Sequence, residues 1–429
     1  MNQISDLEPP PSPVMQVLST LQRSGFEAWV VGGSVRDRLL GRPVSDWDLT
    51  TSATPQEVSA CFERVIETGI EHGTVTVLQE GMNIEVTTYR VDGRYVDGRR
   101  PEEVTFTRSL SEDLSRRDFT INAMAWDPNT HRLEDPFNGE SDLKHAVIRA
   151  VGRPLDRFRE DGLRSLRAIR FASTLGFEIE SSTSEALTGA LDVFRGVAME
   201  RVQVELFKTL LSSEAGRGLG SLRASQMLEH IAPELDALDE GNFKLICDAI
   251  GRTSAQLETR LALLFSCCPE ASDAAQDRLI GLKVAKRLTQ QVSHLLRWLK
   301  VQPGTERTDG QVRALVAQVG LKAFPALVSF RKALSDARGD DAQSEAWRAL
   351  QARVTQLKVH ESPQSPRDLA LRGSDLAQRF GIPPSRAIGE LLNALLHHVW
   401  EHPEDNQVDR LLALVPRLAE ALGVEVERR

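Results

Sequence analysis

From about residue 14 to residue 149 the apolar positions switch repeatedly between helical and strand spacing. Residues 14–24 predict a helix, 27–31 a strand, 34–40 a short helix and 47–50 a second strand. The Thr54-Pro55 step opens a further helix over residues 55–61. Residues 74–78 and 83–90 alternate apolar and polar side chains at period two around Glu80-Gly81. That alternation predicts a hairpin beside the strand at 47–50. After Gly152 the strand signal fades. Residues 161–175, 182–194, 200–212 and many later stretches repeat apolar residues at helical spacing. Clusters of Gly, Pro, Ser or Asp at 302–310, 338–341 and 362–366 mark breaks between helices. The pattern therefore predicts an α+β chain, with a small mixed head followed by an essentially all-helical remainder.

Composition narrows the function classes. At 429 residues the chain has room for more than one buried core. No window approaches the run of apolar residues that a membrane-spanning helix needs. The first thirteen residues lack Lys and Arg and end in Pro-Pro-Pro-Ser-Pro, which fits neither a signal nor a transit peptide and reads as a disordered extension over 1–13. Cys61, Cys247, Cys267 and Cys268 show no zinc-ligand spacing, and the expected state is free thiols in the cytoplasm. The net charge of −9 is localised: residues 1–150 hold 15 basic and 24 acidic side chains, and the rest is balanced at 37 of each. The acidity thus sits in the head, where metal ions would offset part of it.

The candidate chemistry sits in the same region. Val31-Gly32-Gly33-Ser34-Val35-Arg36-Asp37 lies between a predicted strand and a predicted helix. Glycines at such a turn leave backbone N–H groups free to hold a phosphate. A few residues on, Asp46 and Asp48 occupy alternate positions of a predicted strand, so both carboxylates would share one face. Hard oxygen ligands of this kind suit Mg²⁺.

These residues belong to a larger series. Gly32–Asp37 with Asp46-Trp47-Asp48 resembles the first motif of the class II tRNA nucleotidyltransferases and bacterial poly(A) polymerases. Arg116-Arg117-Asp118-Phe119-Thr120-Ile121-Asn122-Ala123 resembles the second, and Asp135-Pro136-Phe137-Asn138-Gly139 with Asp142-Leu143 the third. Glu160-Asp161-Gly162-Leu163-Arg164, continuing through Arg167 to Arg170-Phe171-Ala172, resembles the fourth, and Glu200-Arg201 with Glu205-Leu206 the fifth. The resemblance implies a polymerase β-like nucleotidyltransferase head over 14–150. Behind it would come a helical neck over 151–215, a body over 216–355 and a tRNA-binding tail over 356–429. The implied partners are ATP, CTP and the acceptor end of tRNA, with no DNA and no membrane.

Nucleotide addition to an RNA 3′ end is an in-line displacement at the α-phosphorus, for which two Mg²⁺ ions on shared carboxylates are expected. Asp46 and Asp48 are the candidate ligands, with Glu85 on the neighbouring strand as a possible third carboxylate. Gly32, Gly33 and Arg36 are placed to grip triphosphate oxygens. Arg116 is preferred over Arg117 for ribose and phosphates, because neighbours on a regular element cannot both face one site. Asp118 either contacts sugar or orients an arginine, and Asn122 enters with the same motif. Asp161 and Arg164, three apart on the predicted helix, would share a face. An acceptor beside a donor matches the amino group and ring nitrogen of cytosine or adenine and opposes uracil and guanine. Arg167 and Arg170 continue that face as a basic stripe.

Within the family, Thr68–Val75 is similar to the tRNA-specific members, and the Arg-Arg-Phe type stretch of poly(A) polymerases is missing. His72 reads as structural. Residues 90–104 look like the flexible loop that CC-only enzymes have lost. Full CCA addition is therefore the first expectation. Addition of A alone is the alternative, poly(A) synthesis a lesser one, and a non-catalytic RNA-binding module the least. The nine histidines supply no adjacent His-Asp pair, so no appended phosphohydrolase is expected, and His397, His398 and His402 read as surface residues of a helix.

Overall fold

The computed structural model describes residues 1–2, 4, 7–93 and 104–425. Strand β1 (Ala28–Val31) is a run of four apolar residues, three of them buried, as suits an interior strand. It lies in a seven-stranded sheet with β2 (Asp48–Thr51), β3 (Val65–Gly69), β4 (Thr74–Gln79), β5 (Met82–Thr88), β8 (Ala125–Asp127) and β9 (Arg132–Glu134). A separate ribbon pairs β6 (Arg90–Asp92) with β7 (Val104–Phe106), and β10 (Val147–Ile148) pairs β11 (Glu178–Ile179). The main sheet runs β3-β4-β5-β2-β1-β8-β9, with β2 and β5 parallel and the other neighbours antiparallel.

The two faces of the sheet differ in character, as period-two alternation requires. Helices α1 (Ser12–Arg23) and α3 (Pro55–Cys61) pack on β4, where Val75 and Val77 are fully buried. A capping box starts α3: the Thr54 N–H donates to Glu57 at 2.7 Å and the Glu57 N–H to Thr54 Oγ1 at 3.3 Å. The other face carries Asp48, Thr50, Glu85 and Thr87. Over its β1–β8 part lies α4 (Leu110–Ser115), where Leu114 packs with Val31 and Ala125. Helix α2 (Gly33–Leu39) follows β1, and α5 (Gly139–Lys144) braces the turn at Thr120–Asn122. A Cβ on Gly139 would lie 2.3 Å from the Thr120 carbonyl oxygen, so only glycine permits that approach.

Helices α6 (Pro154–Glu160), α7 (Leu163–Leu175), α8 (Ser181–Gly189), α9 (Leu191–Phe194) and α10 (Met199–Leu210) complete the site-bearing part of the first of two compact units, Met1–Ala237 with Gly281–Lys283. The second unit, Leu238–Ile280 with Val284–Arg429, is helical. One of its cores gathers Leu376 and Phe380, Leu391, Leu395 and Trp400, and Leu411 and Val415 from three helices, and Trp400 Nε1–H donates to the Pro363 carbonyl at 2.9 Å. His397 is exposed, while His398 is engaged by Asp405 at 2.8 Å. Among the described residues no single helix is long and apolar enough to cross a membrane.

The α+β expectation holds, and four local details differ. The 1–13 stretch is not free of the head: Leu7 is buried and the Asn2 N–H donates to the Leu39 carbonyl at 2.8 Å. Strand β3 goes unpredicted because its outward residues leave no apolar alternation, and β8 and β9 are too short to show a period. The second strand begins at Asp48, leaving Asp46 ahead of it. The fourth-motif helix begins at Leu163, because Asp161 sits in extended backbone (φ −141°) at the end of α6. The 90–104 loop falls largely outside the described residues.

Gly162 makes the α6–α7 corner possible. A Cβ there would lie 2.8 Å from the Val193 carbonyl oxygen and the Phe194 nitrogen. Gly162→Ala should therefore cost about 1–3 kcal/mol of stability. Urea unfolding should show a lower midpoint at an unchanged m-value.

Candidate active site

The chain leaves β1 through Gly32, whose φ of 73° is in the left-handed region that favours glycine. Its missing side chain also admits Arg117: a Cβ on Gly32 would lie 3.2 Å from Arg117 Nη1. The turn opens a cleft of about 460 Å³. Gly32, Gly33, Arg36, Asp48, Arg116, Asp118, Asn122, Asp161, Arg164, Arg167 and Arg170 all line it, so the structure brings together most residues singled out in the sequence. Asp46 and Glu85 are outside the lining. Among the described residues that form the cleft are seven arginines against three aspartates. So concentrated a positive field suits a polyanion.

Such a cluster of like charges needs counter-charges behind it. Asp118 is the central one. Its carboxylate accepts from Arg167 Nη2 at 2.6 Å and Nε at 2.8 Å, from Asn122 at 3.1 Å and from the Phe119 N–H at 2.8 Å. Burial by itself would raise its pKa, but Arg167, the Asn122 hydrogen bond and Arg164 hold it well below the usual carboxylate range. Asn122 passes the constraint on, because its Oδ1 accepts from Arg36 at 2.7 Å. Glu205 on α10 accepts from Arg170 at 2.8 Å and lies 3.7 Å from Arg167. The Phe171 ring lies among the guanidinium groups of Arg36, Arg167 and Arg170, at 5.1, 5.3 and 3.5 Å from its centroid.

Arg116 and Arg117 both reach the cleft. Arg116 ends α4 and Arg117 lies in the following turn, so the rule for neighbours on a regular element does not apply. Both bond to the fully buried Asp113, at 2.8 and 3.4 Å. Asp161 and Arg164 line the same cleft but reach it from a helix end and a helix start rather than from one helix face. The Asp161 carboxylate receives Arg201 at 2.7 Å, and Arg164 is held by Glu160 at 2.6 Å and the Arg116 carbonyl at 3.1 Å.

The acidic corner is built across two strands. Asp48 and Glu85 face one another in the parallel β2–β5 register. Asp46 is exposed, with Ser45 Oγ donating to it at 2.9 Å. Burial, then Glu85 and Asp46, push the Asp48 pKa up to about 6, and Arg117 offsets only part of this. Among the described residues no three His, Cys, Asp or Glu side chains form a closed metal cage. Mutually repelling carboxylates beside a glycine turn nonetheless suit a divalent ion completed by substrate oxygens, the usual arrangement for Mg²⁺.

Comparison with known proteins agrees with this geometry. The chain is 36% identical over 402 residues to a CCA-adding enzyme of Enterococcus faecalis, covering 94% of each. The chain belongs to the CCA-adding enzyme family. Family models match in the same sense: the poly A polymerase head domain over residues 28–149, the RNA and SrmB binding site of polymerase A over 176–239, and tRNA nucleotidyltransferase domain 2 over 253–415. The crystal structure of the Bacillus stearothermophilus CCA-adding enzyme in complex with CTP superposes with a TM-score of 0.79 at 28% identity, covering 97% of this chain and 99% of that one. A Thermotoga maritima CCA-adding enzyme complexed with tRNA shares the fold, with a TM-score of 0.68 at 19% identity, covering 97% of each chain.

In this CCA-adding family member Arg117, set aside above in favour of Arg116, lines the cleft, as do Phe171 and Arg201 with Glu205 behind them, three residues whose motifs gave them no individual role. Arg117 has a local partner in Asp113, and Phe171 has two in Arg167 and Arg170 on its own helix. Arg201 with Asp161 and Glu205 with Arg170 instead join elements distant in the chain and have no local signature.

The raised Asp48 pKa has a consequence for stability. At pH below the ordinary carboxylate value, folded and unfolded chains both hold the proton. Between about 4 and 6 the unfolded chain releases it first, so metal-free stability falls as pH rises through that window. Above it, ionised Asp48 costs the fold about 2–3 kcal/mol. Asp48→Asn should therefore raise the Tm of metal-free protein at pH 8 and lose most of that gain at pH 4, as read by calorimetry.

Proposed function

We propose that this chain adds the 3′-terminal CCA to tRNA from CTP and ATP, by Mg²⁺-dependent nucleotidyl transfer without a nucleic-acid template. The observation that carries the reading is one cleft holding Asp48, the glycine turn and seven arginines, with Asp161 and Arg164 in the same wall. Arg36, Arg117, Arg167 and Arg170, with the N–H groups of the Gly32–Gly33 turn, bind the triphosphate and hold its α-phosphorus beside Asp48. Asp118 positions Arg167 and, through Asn122, Arg36. Asp46 and Asp48, with Glu85 beside them, would hold two Mg²⁺ ions. When bound there, the metal lowers the pKa of the attacking 3′-hydroxyl and neutralises the leaving pyrophosphate.

Asp161 and Arg164 select the base. The carboxylate accepts from the exocyclic amino group of cytosine or adenine, and the guanidinium donates to the neighbouring ring nitrogen. Uracil or guanine would leave both protein groups facing like polarity, at a cost of several kcal/mol in rough terms. Arg201 on Asp161 and Glu160 on Arg164 fix the two side chains in advance, so the protein takes the place of a template. Recognition of tRNA rests on shape and backbone rather than sequence. We assign it to the helical regions behind the 14–150 head, a neck over 151–215, a body over 216–355 and a tail over 356–429. The four cysteines are free thiols, which supports a cytoplasmic setting. Relatives bearing the CCA-adding name support complete CCA addition over addition of A alone.

The test is to offer tRNA lacking CCA, and tRNA ending in CC, with CTP and ATP separately and together. CTP alone should extend the first by two residues, ATP alone the second by one, and the pair should complete CCA. Incorporation of A on CC ends with no extension of the shorter tRNA would overturn the assignment.

A further inference from the structure

The cleft lies to one side of Asp48. On its other side, away from the arginines, the same face of the sheet continues across three more strands. Asp48 stands opposite Glu85 on β5, Glu85 opposite Thr76 on β4, and Thr76 opposite Ile66 on β3. Directly opposed residues share a face, so these four form one row running outward from the reaction centre. A second row lies beside it, with Thr50 opposite Thr87 and Thr87 opposite Thr74. The hydroxyls bond to one another: Thr68 Oγ1 and Thr76 Oγ1 lie 2.9 Å apart, and Thr74 Oγ1 and Thr87 Oγ1 3.0 Å apart. Glu85 and Thr68 are exposed, and Ile66 is 48% exposed, an apolar side chain among polar ones.

We propose that this row seats the 3′-terminal nucleoside of the RNA acceptor, with the exposed Thr68, its hydroxyl held by the buried Thr76, toward its ribose and Ile66 against its base. The inference rests on the nucleotidyl-transfer reading above and adds where the second substrate lies. In an in-line displacement the attacking and leaving oxygens stand on opposite sides of the phosphorus. The arginines fix the triphosphate on the cleft side of Asp48, so the attacking hydroxyl arrives from the side of Glu85. The surface there has the chemistry of a nucleoside seat rather than a phosphate seat. Neither row contains Lys or Arg, and its one charge beyond Asp48 is the carboxylate of Glu85, so a backbone phosphate is disfavoured. Hydroxyls both donate and accept, as a ribose 2′-hydroxyl does, and the 2′-hydroxyl is what distinguishes RNA from DNA at such a site. An aliphatic side chain contacts a base without reading its edge. That tolerance is needed where the terminal base changes after every addition.

The test compares RNA acceptors ending in a ribonucleotide or in a 2′-deoxynucleotide that keeps its 3′-hydroxyl. The wild-type chain should show a KM about fivefold to tenfold higher for the 2′-deoxy end, the loss of roughly one hydrogen bond. Thr68→Val, close to isosteric, should raise the KM for the ribonucleotide end by a similar factor and abolish the difference between the two ends. The KM values for CTP and ATP should not move. Ile66→Ala and Thr68→Val, both at exposed positions, guard against a folding artefact: each should raise the acceptor KM at unchanged Tm. Variants that keep the wild-type acceptor KM and the wild-type 2′-deoxy penalty would overturn the seat while leaving the transfer reading intact. A wild-type chain that extends neither RNA would overturn the transfer reading itself, and this inference with it.

Discussion

The site depends on one buried anion. Asp118 is enclosed where the turn after α4 meets α7, and its carboxylate is committed to Arg167, to Asn122 and to a backbone N–H. Through Asn122 the same carboxylate fixes Arg36, which projects from the helix after the glycine turn. One negative charge thereby ties the first, second and fourth sequence motifs into a single wall. Burying it would be costly alone, but the paired guanidinium and the added hydrogen bonds make the ionised form the stable one.

The same logic repeats around the cleft. Asp113 holds Arg116 and Arg117, Glu205 holds Arg170, Glu160 holds Arg164, and Asp161 receives Arg201. Each carboxylate offsets repulsion among the arginines and also fixes where a guanidinium points. An arginine cluster ordered in advance loses little side-chain entropy when a polyanion arrives. Arg167 and Arg170 show the balance. Against burial, Asp118 and Glu205 hold Arg167 above its ordinary pKa, whereas burial and the neighbouring Arg167 draw Arg170 below it despite Glu205. Asp48 is the opposite case. Its nearest carboxylates are like charges, and the fold carries that repulsion where metal-assisted chemistry would use it.

Local features of this design were legible in the sequence. The glycine turn, the hairpin beside β2 and the helical remainder follow from periodicity and turn chemistry within short windows. Strand alternation left Glu85 as an open candidate for a third carboxylate, and it is the β2–β5 register that sets it opposite Asp48. Asp46 was placed by the same alternation, although β2 starts only at Asp48, so its nearness to the site has another origin. Asp161 and Arg164 meet in one cleft for a reason that helix spacing does not give: α6 ends at Glu160 and α7 begins at Leu163, with Gly162 letting the corner pack against the backbone at Val193. The contacts of Arg201 and Glu205 were not legible because each depends on an element distant in the chain, whereas Arg117 was passed over on a rule for regular elements that the turn after α4 does not obey.

Asp118→Asn is the most direct test of the central claim, since it removes the charge while nearly preserving the shape. CTP and ATP binding to the variant and to the wild-type chain should be compared by calorimetry, with folding checked by circular dichroism. If Asp118 organises the arginine wall, both nucleotides should lose affinity together, by about tenfold or more, because the half-buried Arg167 has lost its main partner. Unchanged affinity for both nucleotides in a folded Asp118→Asn protein would contradict the claim.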